Sequence, residues 1–275
     1  MDAGISAGDL AILTLALLIG GLSTGFLAGL LGIGGGGVLV PVLYETFTAL
    51  GVDEAVRMHM VLGTSFAVIA PTAYRSFRGH LAREAVETAV LRRLGPWVVA
   101  GVVLGIALVS TASSAALKWV WIVFASFLAL KMALGREEWR LGDRLPEGPI
   151  VDGVAFAIGL VSTLMSIGGG MFLVTLLTLY GRPILSAVAT SSGFGPLIAV
   201  PGMLGYVWAG WGVSGLPPLS LGYVNLLGAA LIIPASLVAA PYGVRAAHLI
   251  SKRKLELAFA AFLAAAVLRL LISLL

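Results

Sequence analysis

Residues Gly25–Leu43 read GFLAGLLGIGGGGVLVPVL, and Ser166–Leu177 read SIGGGMFLVTLL. In both, a run of glycines interrupts apolar sequence. Each glycine inside a helix costs about 1 kcal/mol relative to alanine, so three or four in succession predict a helix that stops and restarts. The apolar pieces that follow, at about 37–50 and 170–181, fall short of the roughly 17 residues that cross hydrocarbon. They read as half-helices or re-entrant pieces. Lipid offers nothing to unpaired backbone groups, so a break at that depth must line protein or a watery cavity. The free N–H groups of the restarted helix, at the positive end of its dipole, then make a place for an anion. Close helix packing, which small residues commonly serve in membranes, is the other reading of the same glycines.

The rest of the chain supplies the surroundings for such a break. Of 275 residues, 59% are hydrophobic and 11% charged, with a mean hydropathy of +1.05. A soluble domain carries about 25% charged residues, so a soluble enzyme is excluded. Apolar stretches fall at about 10–31, 37–50, 57–74, 95–111, 115–134, 150–166, 170–181, 185–208, 220–243 and 254–275. The expectation is an all-α polytopic membrane protein of eight to ten hydrophobic segments. The absence of cysteine rules out disulfides and thiolate chemistry. Met1–Asp9 has two aspartates and no basic residue, unlike the start of a cleavable signal peptide. It is expected to stay on the mature chain.

Fourteen of the 17 lysines and arginines gather in four places: Arg75 to Arg93, Lys131 to Arg144, Arg182, and Arg245 to Lys254. The positive-inside bias puts all four in the cytoplasm and both termini outside. That needs an odd number of crossings on each side of the polar stretch 136–149. The halves also echo one another. Gly25 and Ile33–Gly36 recur 134 residues later as Gly159 and Ile167–Gly170, and Thr64-Ser65 recurs 126 residues later as Thr190-Ser191. Pro96, Gly105, Ser113, Leu117 and Lys131 are matched at a spacing of 138 by Pro234, Gly243, Ser251, Leu255 and Arg269. An odd number of spans per copy makes this an inverted repeat, a pattern found in transporters. The expected division is a first repeat at 1–135, a cytoplasmic linker at 136–149 and a second repeat at 150–275, each repeat of about five segments.

The candidate anion site follows from these features. Its backbone donors are Gly34, Gly35, Gly36 and Gly37, and Gly168, Gly169 and Gly170. Its hydroxyls are Thr64, Ser65, Thr190, Ser191 and Ser192, with Ser166 beside the second run; each could donate to an oxyanion or bond back to its own helix. Glu45 and His59 flank the turn after the first short segment and are the candidates for carrying a coupled proton. Asn225 reads as a tie between helices. No His/Asp/Glu cluster has metal-ligand spacing, and neither glycine run fits a nucleotide-binding motif. No cofactor is implied. Arginines in membrane-proximal loops, without interleaved aromatics, give no nucleic-acid surface. Nothing resembles a catalytic constellation, so the expected partners are a small anion and the bilayer. Sequence leaves the oligomeric state open.

These residues carry a family resemblance. GFLAGLLGIGGGGVLVPVL, the GTS at Gly63–Ser65, SIGGGMFLVTLL and the ATSS ending at Ser192 resemble the TauE/SafE family, also called the sulfite exporter or toluenesulfonate-uptake permease family. The likeness covers nearly the whole chain. It implies a transporter of sulfite, sulfonates or other small organic or sulfur-containing anions in the plasma membrane, often linked to proton movement. A passive anion channel on the same scaffold is the alternative. The second copy departs from the family pattern: Thr175 stands where the first has Pro41, and Met171 where it has Gly37. The two half-sites are therefore expected to be unequal.

Overall fold

A computed structural model describes residues 7–31, 36–134, 140–246 and 252–274. The first half of the described chain holds α1 (Ala7–Leu31), α2 (Gly36–Ala49), α3 (Glu54–Leu81), α4 (Thr88–Val109) and α5 (Ser114–Leu134). The second holds α6 (Pro149–Met165), α7 (Gly170–Leu179), α8 (Ile184–Ser192), α9 (Phe194–Ala209), a small hairpin of β1 (Ser220–Leu221) and β2 (Val224–Asn225), α10 (Leu226–Ala246) and α11 (Lys252–Ile272). Thr88–Val109, Ser114–Leu134, Ile184–Ala209 and Leu226–Gly243 are long and apolar enough to cross a bilayer. Large apolar side chains such as Val103, Leu104, Val123, Phe127 and Leu130 point outward. Lipid is the solvent that suits such a surface, and the chain is a multi-pass membrane protein.

Both short helices turn back. At about 1.5 Å per residue, α7 is far too short to cross, and its end returns to the linker from which α6 started. There the Leu141 N–H donates to the Leu179 carbonyl at 2.7 Å. The pair α6–α7 is a re-entrant hairpin. In the first half, α2 folds back along α1, with Gly20 against Val42. Each half thus contributes one such hairpin and three longer spans, α8 and α9 counting as one.

The two halves interlock. Helix α1 lies along α10, and α6 lies along α4. A Cβ on Gly25 would strike the Ser236 carbonyl, and one on Gly159 would strike the carbonyl of Val98. These contacts correspond through the spacings of 134 and 138 residues noted above. Both pairs run parallel: along α1 and α10, Gly21 meets Ile232, Gly25 meets Ser236, and Phe26 meets Gly243. Glycine lets the backbones approach, and packing of this kind drives helix association in membranes. Basic side chains close helix ends. Arg253 at the start of α11 donates to the carbonyls of Met132 and Ala133, the last turn of α5.

Two boundaries differ from the sequence expectation. The stretch 220–225 is a hairpin because Gly222 turns the chain in the left-handed region (φ 54°). The Asn225 side chain then accepts the Gly228 N–H at 2.8 Å and caps α10. Helix α3 continues well past residue 74, to Leu81, since its polar last turns face a cavity.

Candidate functional site

The start of α2 touches the second interruption. Gly36, at the start of α2, has no room for a Cβ: it would collide with the Ser166 carbonyl and approach Ile69 Cδ1 at 3.1 Å. Gly36 and Gly37 are buried; Gly34 and Gly35 lie outside the described residues. In the second interruption, α6 ends in a left-handed Ser166 (φ 50°), and Gly169 is also left-handed (φ 70°). These two residues break the chain sharply between α6 and α7. Position 169 needs glycine on conformational grounds.

A cavity of about 420 Å³ opens beside this junction. Gly168, Gly170, Ser191 and Ser192 form part of its wall, as do Gly29 of α1 and Leu237 and Ala240 of α10. Arg75 in the last turns of α3, Arg83 in the turn that follows it, and Arg245 near the end of α10 line it as well, and all three are exposed. His80 stands among them. Burial, with the Arg83 charge beside it, holds the His80 imidazole below its ordinary value. Cationic side chains at the entrance and backbone amides near the break give the cavity a field that attracts anions.

The candidate hydroxyls divide into three groups. Thr64 Oγ1 accepts the Asn225 N–H at 2.9 Å, and Thr190 Oγ1 accepts the Glu87 N–H at 3.0 Å. Each threonine thereby holds the chain just ahead of a helix, α10 or α4. Ser191 and Ser192 donate back to the carbonyls of Val188 and Ala189 while lining the cavity. Ser65 and Ser166 are wholly buried with hydroxyls that have no hydrogen-bond partner.

Glu45 and His59 stand elsewhere. Glu45 is half exposed in an ion pair with Arg269 at 3.0 Å. His59 is buried, with Nε2 3.1 Å from the Ala112 carbonyl and its ring stacked on Tyr223 at 4.7 Å. Neither lines the cavity. At the end of the bundle away from the basic cavity mouth, a fully buried Lys118 pairs with Glu54 and lies over the Tyr44 ring. Thr175, the residue replacing proline in the second copy, accepts a hydrogen bond from Lys131 Nζ at 3.0 Å.

Sequence reasoning used the arginines only as markers of sidedness and missed them as cavity lining. The available signal was a polar stripe at helical spacing, Thr72, Ser76 and Gly79, along the end of α3, carried on by Arg83 just beyond it. It also missed Ser162, wholly buried in α6 with an unpartnered hydroxyl. A lone serine in an apolar helix carries no such signal. Among the described residues no group of three or more His, Cys, Asp or Glu could hold a metal.

Comparison with known proteins agrees with the resemblance noted in the sequence. The family profile described as Sulfite exporter TauE/SafE matches residues 17–270. A probable membrane transporter protein of Haemophilus influenzae is 32% identical over 251 residues, covering 90% of this chain and 94% of that protein. A probable membrane transporter protein of Methanocaldococcus jannaschii is 28% identical over 250 residues, covering 90% of this chain and 91% of its own length. No solved structure matches the chain.

Proposed function

The chain belongs to the sulfite exporter TauE/SafE family, and on that premise we propose that this membrane transporter is a secondary carrier of a small sulfur-containing or organic anion. The observation that carries the reading is the junction: two interrupted hairpins in contact, beside a cavity entered past Arg75, Arg83 and Arg245. The anion is held by the amides at the start of α7 and of α2, together with Ser166, Ser65 and the cavity face of Ser191 and Ser192. Its charge is met by helix dipoles and hydrogen bonds. No covalent chemistry is required of the protein.

Placing the basic loops in the cytoplasm of a plasma-membrane protein makes the cavity cytoplasm-facing and puts both termini outside. At the opposite end the β1–β2 hairpin packs on α3, with the Tyr223 carbonyl against Gly63 and the Asn225 N–H on Thr64, and in this reading it closes that entrance. Two halves related as inverted repeats would exchange these roles by rocking, which is alternating access. The reciprocal packing of α1 on α10 and α6 on α4 supports that relation. If protons drive the cycle, His59 is the better carrier, being buried, while Glu45 is half exposed and paired. A closed far end argues against a continuous pore, and accumulation of anion against its gradient separates a carrier from a channel.

The test is a charge at the break. Aspartate and asparagine both tolerate left-handed backbone better than most residues, so Gly169→Asp and Gly169→Asn differ in charge and little else. Sulfite and sulfoacetate uptake into proteoliposomes should fall at least about tenfold further in the aspartate variant than in the asparagine one. Equal flux in the two overturns the anion site.

A further inference from the structure

The proposed anion occupies the amide end of α7 and touches only Ser166 on the other side of the same break, leaving the rest of the carbonyl end of α6 without a role. Two hydroxyls stand there. Ser162 and Ser166 lie one helical turn apart, joined by the Ser166 N–H donating to the Ser162 carbonyl. Both side chains are wholly buried and neither Oγ has a partner. Ser162 Oγ faces the break, 3.4 Å from where a Cβ on Gly169 would stand. Buried hydroxyls are nearly always paired, and leaving one unpaired is costly. Two at one break call for a ligand.

The surroundings select its sign and type. The C-terminal end of α6 carries the negative end of a helix dipole. The donor set is neutral oxygen, and the site includes no Asp or Glu to compensate a divalent ion, which usually binds through carboxylates. Hydroxyls and carbonyl ends at an interrupted helix suit a monovalent hard cation.

We propose that Ser162 and Ser166 bind a sodium ion at the carbonyl end of α6, adjacent to the anion at the amide end of α7. Sodium, in place of the proton, is then the coupling ion. The Ser166 hydroxyl offers lone pairs to the cation and its proton to the anion. Each ion therefore raises the other's affinity, by the same factor in both directions. This inference rests on the transporter reading for the anion's part, while the cation site can be measured by itself.

The experiment is binding of ²²Na⁺ to the purified full chain, with choline replacing other cations, in the wild type and in Ser162→Ala, Ser166→Ala and, as a control at an exposed serine beyond the end of α4, Ser110→Ala. The inference expects saturable binding that weakens at least about tenfold in each buried-serine variant and survives in Ser110→Ala. Alanine at a buried, unpartnered serine should leave the melting temperature unchanged or raised, so lost binding would not reflect lost folding. Absence of saturable ²²Na⁺ binding to folded wild type, or unaltered binding in both buried-serine variants, overturns the proposal. A second measurement, binding of [³⁵S]sulfite and [³⁵S]sulfoacetate with and without sodium, separates the two readings. Anion binding indifferent to sodium removes the coupling and keeps the anion site. Sodium binding with no anion binding under any condition does the reverse. Flux driven by a pH gradient, independent of sodium and lost in His59→Gln, would also overturn it.

Discussion

The hairpin Ser220–Asn225 and the turn Ala82–Glu87 occupy corresponding places in the two halves, 138 residues apart, at opposite ends of the bundle. Their backbones agree closely. Gly222 and Glu84 are both left-handed with φ 54°, and the last residue of each gives its N–H to a threonine, Thr64 or Thr190. Their surroundings differ. Residues 222–225 are buried, whereas of their counterparts Glu84 is exposed and 85–87 are half-buried, and Arg83 faces the cavity. The difference traces to side chains: the Tyr223 ring stacks on His59, while its counterpart is Ala85, and Leu221 corresponds to Arg83. One turn geometry thus serves both ends, and the side chains hung on it decide how deeply each turn is buried; under the proposed reading the hairpin end is plugged and the arginine end open.

The largest effect expected from breaking this contrast comes from Tyr223→Ala, which gives the plugged end the side chain of the open one. Truncating a buried aromatic removes about 3 kcal/mol. The chain has no native cysteine, so Ser65→Cys is a clean reporter. Its labelling by an impermeant maleimide added from the hairpin side should rise at least about tenfold, and unchanged labelling would mean that Tyr223 closes nothing. A smaller, symmetric effect is expected from Thr64→Val and Thr190→Val. Each strips the acceptor from a backbone N–H ahead of a helix, at about 1–3 kcal/mol. Similar losses in thermal stability would sharpen the equivalence of the two turns, and a loss confined to one would break it. The smallest is at the open end alone. His80, among Arg75, Arg83 and Arg245, is held below its ordinary value by burial and by Arg83, so it is neutral at pH 7 and gains charge only on acidification. Methanesulfonate keeps its single charge throughout. Its binding should tighten roughly fivefold, about 1 kcal/mol, as pH falls through that lowered value, and His80→Gln should flatten the profile.

The architecture was legible wherever a single residue type dictated the backbone. Runs of glycine placed both interruptions, and apolar length separated the short helices from the spans. The hairpin before α10 was not legible, because Leu221, Tyr223 and Val224 continue the apolar composition of the span that follows. Only Gly222 and the cap at Asn225 distinguish it. At the site, glycines and paired hydroxyls were visible by repetition, yet repetition could not tell ligand from scaffold. Thr64 and Thr190 repeat because the same turn is stapled twice, which is a packing need. The cavity arginines were overlooked as lining for a related reason: charge in a loop reports sidedness whether or not it also faces a ligand. Ser162 belongs to no repeat, and only its unpaired burial reveals it.

The pairing of α1 with α10 also governs how the chain comes into being. Helix α1 has its main partner, α10, more than two hundred residues downstream. Its row of small residues therefore waits, uncovered in lipid, until α10 has been made. Neither half can complete itself. A polypeptide stopped at the linker leaves α1 and α4 each without the neighbour their glycines are shaped to meet, and assembly waits on the second half.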